Sequence, residues 1–168
     1  MDLYLILHNI RSLHNVGSIF RTADGTGVKK IYLTGYTPLP PDLFGKARKD
    51  LAKTALGAEK SVPWEQQKNL SPLIAKLKKE KLFIVSLEQA KRAVLYNEFL
   101  RRYAKKIKRD KGIVLIVGNE VWGISPAVLK KSDAVMELPM YGKKESLNVS
   151  VATGIALYAL REPRRSRS

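Results

Sequence analysis

Three stretches of this chain concentrate residue types that can hold and orient a small molecule. HNVGSIFRTADGTGV, residues 14–28, sets Asn15, Gly17 and Arg21 at helical spacing. IVGNEVWGIS, residues 116–125, ends an apolar run on Gly118, Asn119 and Glu120. ESLNVS, residues 145–150, places Ser146, Asn148 and Ser150 close together, just before a segment, Val151 to Leu160, with no charged side chain. Asparagine and serine fix a ligand by hydrogen bonds, a carboxylate orders the groups around it, and a guanidinium grips an anion. Gly118 lets a ligand lie against the backbone. Each stretch alone is equally satisfied by plain structure: Asn15, Ser146 or Asn148 as a helix cap, Gly118 to Gly123 as a tight turn.

Familiar enzyme signatures are missing. There is no GxGxxG, since DGTGV at 24–28 has the wrong spacing, and neither a Walker pattern nor GxSxG occurs. His8 and His14 are the only histidines and form no ligand pair with carboxylates, so no metal is expected. With no cysteine, disulfides and thiolate chemistry are excluded, which fits a reducing compartment. The start, MDLYLILHNIRS, reads as a strand and not as a leader, and no apolar run reaches the roughly 20 residues of a membrane span. A soluble, cytoplasmic protein is expected. Its formal charge of +16 attracts polyanions, nucleic acid above all.

Five apolar runs read as strands: Leu3 to Asn9, Lys30 to Gly35, Leu82 to Leu87, Ile113 to Gly118 and Ala134 to Met140. Helical patterns alternate with them, over Asn15 to Gly25, Pro41 to Leu56, the stretch opened by Ser71-Pro72, EFLRRYAKKIKRD, SPAVLKKSD and the uncharged terminal segment. This alternation predicts a single α/β domain over 1–161 with a mostly parallel sheet, followed by a flexible basic tail at 162–168. In such sheets ligands gather at the carboxyl ends of the strands, where the three polar stretches fall.

Taken together, the stretches resemble the motifs of SpoU/TrmH-type RNA 2′-O-methyltransferases of the SPOUT superfamily. The first motif is matched by Asn15, Gly17, Arg21, Thr22, Ala23 and Gly27, and the second by Gly118, Asn119, Glu120, Gly123 and Ser125. The third is matched by Pro139, Met140, Ser146, Asn148 and Ser150. The resemblance implies a C-terminal deep trefoil knot, a homodimer through the terminal helix, and S-adenosylmethionine as cofactor. It assigns Arg21, Asn15, Glu120, Ser146 and Asn148 to catalysis. Leu87, Gly118, Asn119, Leu138, Met140, Ser146 and Leu147 would line the cofactor site. Val151, Ile155, Ala156, Leu157, Ala159 and Leu160 would bury against the sheet or a second subunit.

The implied reaction methylates a ribose 2′-hydroxyl, with tRNA ahead of ribosomal RNA as substrate. A guanidinium rarely gives up a proton, so Arg21 is expected to grip a phosphate and stabilise the developing alkoxide. Asn15, Ser146 and Asn148 would position the ribose and orient Arg21, and Glu120 would hold Arg21 or Asn15. RNA contacts are expected from Arg21, from Lys46, Arg48, Lys49 and Lys53, and from the run Arg101, Arg102, Lys105, Lys106, Lys108, Arg109 and Lys111. Tyr36, Trp64 and Trp122 are candidates for stacking on bases. Many relatives carry an RNA-binding extension ahead of this domain; without one, substrate choice would fall to the domain's own surface, the dimer or a helper protein. The competing readings are a non-catalytic RNA-binding or assembly protein and a base methyltransferase of the same superfamily.

Overall fold

The computed structural model describes residues 1–42 and 44–161. Seven strands are present: β1 (Asp2–His8), β2 (Lys30–Thr34), β3 (Trp64–Gln67), β4 (Leu82–Leu87), β5 (Val94–Leu95), β6 (Gly112–Val117) and β7 (Ala134–Glu137). Between and after them run seven helices: α1 (Leu13–Gly25), α2 (Lys49–Ala55), α3 (Ala58–Ser61), α4 (Leu70–Lys79), α5 (Tyr96–Ile107), α6 (Pro126–Lys131) and α7 (Val149–Arg161). The strands form one sheet in the order β3-β2-β1-β6-β4-β7-β5, every pair parallel. The basic tail at 162–168 lies outside the described residues.

Successive side chains alternate between two cores. Leu3, Leu5, Leu7, Ile113, Leu115 and Val117 point to the side holding α1, α2, α5 and α7, where Phe20, Phe99 and Leu157 pack. Ile6, Ile84, Val114 and Ile116 point to the other side, under Leu73 and Leu77 of α4 and Val128 of α6. Burial on both faces explains why the central strands read as continuous apolar runs.

The expected elements are found with revised limits. β3 and β5 were not expected: WEQQ is polar because it is an edge strand, and β5 has two residues. The helix expected from Pro41 to Leu56 starts only at Lys49. Before it, Asp42 Oδ1 accepts from the backbone N–H of Phe44 and of Lys46, both at 2.9 Å, so its side chain replaces the helical turn with an Asx-type one. In α1 the cap is Ser12, whose Oγ accepts from Asn15 N at 3.2 Å; Asn15 stands inside the first turn.

α1, which carries Asn15, is fixed against α2 by close backbone approach. A Cβ on Gly17 would lie 2.1 Å from Thr54 Oγ1 and 2.3 Å from Leu51 O, so α1 and α2 meet only because residue 17 has none. Gly17→Ala is expected to destabilise the fold by about 1–3 kcal/mol despite alanine's better helix propensity, because a backbone carbonyl cannot swing aside. Urea unfolding checks this, through a lower midpoint at unchanged slope.

Candidate active site

The loops leaving β1 and β6, neighbouring strands, are joined by Glu120. Its carboxylate accepts from Arg11 N (3.1 and 3.0 Å), Ser12 N (3.1 Å) and Asn15 Nδ2 (3.2 Å). Asn15 Oδ1 in turn accepts from Asn148 Nδ2 at 3.1 Å. Residues 15, 120 and 148, remote along the chain, thus form one hydrogen-bonded line. Asn148 also caps α7, its Oδ1 accepting from Ser150 N at 2.9 Å and Ser150 Oγ at 2.6 Å. It is both the cap and part of the line.

Burial would raise the Glu120 pKa, but the donors from Arg11, Ser12 and Asn15 outweigh it and hold the carboxyl below the ordinary glutamate value. Asn15 therefore gives its amide to a carboxylate and offers its oxygen to Asn148, which fixes the orientation of both asparagines.

Beside this line a cavity of about 460 Å³ opens at the ends of β4, β6 and β7. All of Leu87, Gly118, Asn119, Leu138, Met140, Ser146 and Leu147 line it. Two of them act differently from expectation. The space over Gly118 is filled by its own loop, since a Cβ there would meet Gly123 O and Ile124 Cγ1 at 2.6 Å, so the glycine serves the turn and not a ligand's approach. The Asn119 side chain is consumed by bonds to Asn9, Tyr36, Val121 and Trp122, which leaves only its backbone for a ligand. Ser146 is exposed on the rim, and among the described residues none hydrogen-bonds its side chain.

Arg21 does not join the Asn15–Glu120–Asn148 line. It is exposed on α1, six residues beyond Asn15, hence about 9 Å along the axis and about a third of a turn around it. Glu120 therefore holds Asn15 and not Arg21.

Glu88 was missed by the sequence reading. Its Oε2 accepts from Ile124 N at 2.8 Å, so the β4 exit pins the β6 loop. The only sign of it in the sequence was its place immediately after a strand. Four glutamates, Glu88, Glu120, Glu137 and Glu145, are among the residues lining the cavity, and among the described residues no lysine or arginine is.

The basic groups stand apart. Lys46 and Lys49 are exposed and Arg48 half-buried ahead of and at the start of α2, which packs on α1. Arg101, Arg102, Lys105 and Lys106 are exposed on α5, which packs by β5 and β7 at one edge of the sheet. Trp64 is partly buried against the core, whereas Tyr36 and Trp122 are exposed.

Residues 2–158 match the model of the SpoU rRNA methylase family. The chain belongs to that family. It is 34% identical over 166 residues to the tRNA (guanosine(18)-2′-O)-methyltransferase of Aquifex aeolicus, covering 99% of this chain and 72% of the relative. With the 23S rRNA (guanosine-2′-O-)-methyltransferase RlmB of Xanthomonas axonopodis pv. citri it shares 30% identity over 156 residues, 93% of this chain but 57% of that one. It also superposes on the AdoMet-bound rRNA methyltransferase of Sinorhizobium meliloti with a TM-score of 0.81 at 27% identity, covering 95% of this chain and 56% of the other. The chain thus spans little more than half the length of several of these SpoU proteins. The family match accords with a parallel α/β sheet whose polar loops meet at the strand exits.

His8 is pushed below the ordinary histidine value by burial. Its Nδ1 donates to Thr34 Oγ1 at 2.8 Å, and Asn9 Nδ2 donates to its Nε2 at 3.1 Å, an arrangement that needs the neutral ring. Both lowered groups act in one direction. The unfolded chain takes up each proton first as pH falls, so stability is full above about pH 6.5. It declines first by the His8 contribution as pH drops through the depressed histidine value. The Glu120 contribution goes only below the ordinary glutamate range. Urea midpoints measured against pH are expected to show these two steps, with Glu120→Gln diminishing the lower one, to which Asp2 and Glu65 also contribute, and costing about 1–3 kcal/mol at neutral pH.

Proposed function

We propose that the chain is an S-adenosylmethionine-dependent RNA methyltransferase acting on a ribose 2′-hydroxyl, with tRNA its favoured substrate. The observation that carries this reading is a reversal of charge: a protein of formal charge +16 carries an open cleft whose charged lining residues are four glutamates. The exterior suits a polyanion and the interior a cation. A cavity of about 460 Å³ with apolar walls at Leu87, Leu138 and Leu147 also fits a nucleoside-sized ligand. S-adenosylmethionine supplies, when bound there, a methyl group already activated by its sulfonium charge. The preference for tRNA follows the Aquifex enzyme, which matches over more of its own length than the ribosomal RNA enzyme does.

The chain's own residues must then align the attacking hydroxyl and ease its proton away. Asn15 and Asn148, hydrogen-bonded to each other beside the cavity, position the ribose, with Ser146 on the rim. Glu120 keeps Asn15 oriented and stays charged. Arg21, set apart on α1, grips a phosphate next to that ribose, and the proton leaves to water or a phosphate oxygen. The separated basic groups on α2 and α5 hold the RNA backbone across the face of the domain.

The C-terminal segment is knotted in this reading. In support, the register puts both Leu87 and Val94 beside Met136, so residues 88–93 arch across the exit of β7. Gln89 on that arch donates through Nε2 to Glu145 O at 2.7 Å, which brings the chain beyond β7 back against it. The working unit is a homodimer in the cytoplasm. Of the terminal helix, Ala156, Leu157 and Leu160 are buried in the chain's own core, but Val151, Ile155 and Tyr158 form an exposed stripe at i, i+4 and i+7. Arg21 stands on α1 next to Thr22, whose methyl group faces Gly154 of the terminal helix.

Arg21→Ala is expected to leave S-adenosylmethionine affinity unchanged by calorimetry and to slow methyl transfer to tRNA about a hundredfold or more. Undiminished transfer excludes the arginine, and absence of cofactor binding by the parent chain sinks the reading. Product that alkali still cleaves at the modified position would mark base methylation instead. Ile155→Glu is expected to convert the dimer to monomer in sedimentation.

A further inference from the structure

We propose that Tyr36, with its ring pinned, and Trp122, on a braced backbone, are stacking surfaces for unpaired bases beside the target nucleotide, so that the substrate is a single-stranded segment of RNA and not a duplex. This rests on the reading of the cavity as a methyl-transfer site. Both rings stand at the carboxyl end of the sheet, Tyr36 after β2 and Trp122 after β6, and Trp122 also lines the mouth of the cavity. They are 57% and 84% exposed.

Exposed aromatic side chains are ordinarily loose, but the Tyr36 ring is tied to a buried residue that also anchors the backbone of Trp122. Tyr36 is held at both ends: its N–H donates to Asn9 Oδ1 at 3.2 Å, and its phenol oxygen accepts from Asn119 Nδ2 at 2.9 Å. Trp122 N donates to the Oδ1 of the same Asn119 at 2.8 Å. Asn119 is 7% exposed and fills its remaining capacity with Asn9 O and Val121 N. Gly35 completes the clamp, since at φ +65° it accepts a conformation other residues avoid and leaves room for Asn9 Oδ1, which a Cβ would meet at 1.8 Å. The carboxylate that orients Asn15 belongs to residue 120, between Asn119 and the tryptophan. The ring pair and the hydrogen-bonded line are therefore parts of one braced loop.

A base fits this surface better than a protein would. A protein partner needs a broad apolar patch, whereas here two amphipathic rings, with Val121 and Leu147 the exposed apolar side chains beside Trp122 at the cavity, stand with Arg11 exposed nearby on a strongly cationic molecule. Stacking uses ring faces, tolerates any base and favours surfaces fixed in advance. Bases inside a duplex have no free faces to offer, and unpaired ones do.

The test uses the full chain and a fluorescein-labelled RNA of about 12 nucleotides, alone or annealed to its complement. The single strand is expected to bind more tightly than the duplex. Tyr36→Ala and Trp122→Ala should each weaken single-strand binding about five- to a hundredfold and raise KM for tRNA alike, with duplex binding unchanged. Tyr36→Phe, which keeps the ring and loses the Asn119 bond, should fall between. Single-strand affinity and KM unchanged in both alanine variants overturn the proposal, as does a parent chain that prefers the duplex. If Tyr36→Ala melts early, Trp122→Ala decides, because its exposed ring contributes little to the core. Methyl transfer that persists with unaltered KM sinks the stacking pair alone. Stacking without any methyl transfer sinks the assigned reaction and leaves the pair standing.

Discussion

The Glu120 carboxylate, half-buried and still ionised, is the constraint on which the rest of the site depends. A carboxylate out of water is stable only if donors replace its hydration, and here two backbone N–H groups and an amide do so. The donors come from the β1–α1 loop and the acceptor from the loop after β6, neighbouring strands in register from Asp2 with Gly112 to Leu7 with Val117. The sheet brings the loops within reach and the carboxylate fixes their spacing. Removing it would strand three donors at once. Loop geometry and site geometry are thus the same property.

A cationic protein with an acidic cavity must keep the two fields apart. The separation here is spatial. Lysines and arginines lie on the outer faces of α2 and α5, while Glu88 and Glu120 turn inward and are bound by backbone donors. Backbone N–H groups neutralise part of the acidic charge without mobile cations, so the cavity can keep its sign. Long cationic side chains there would compete with any positively charged ligand.

Much of the fold was legible because both faces of the central strands are buried, which writes them as unbroken apolar runs. β3 and β5 were illegible for opposite reasons: WEQQ lies at an edge where polar residues suffice, and Val94–Leu95 is too short to show a period. The false start of α2 came from reading Pro41 as a helix opener when the Asp42 side chain had a better use for the same N–H groups. At the site, residue types pointed to Asn15, Glu120 and Asn148, yet only coordinates reveal that Asn119 is a brace and that Gly118 serves its own turn. Spacing along a chain says which groups are polar; it does not say which hydrogen bonds are already taken.

The placement of Arg21 follows from the same distinction. α1 and α7 lie side by side and are tied at both ends, by Asn15 with Asn148 at one and by Arg161 at the other, whose Nε donates to Thr26 O at 2.7 Å. A plate fastened in this way cannot twist Arg21 toward Asn15, because the angle between residues 15 and 21 is set by the helix itself. The asparagine line and the guanidinium therefore leave α1 in different directions by construction, and a ligand that touches both has to be extended. A polymer with phosphates along its length meets the requirement, and a free nucleoside does not.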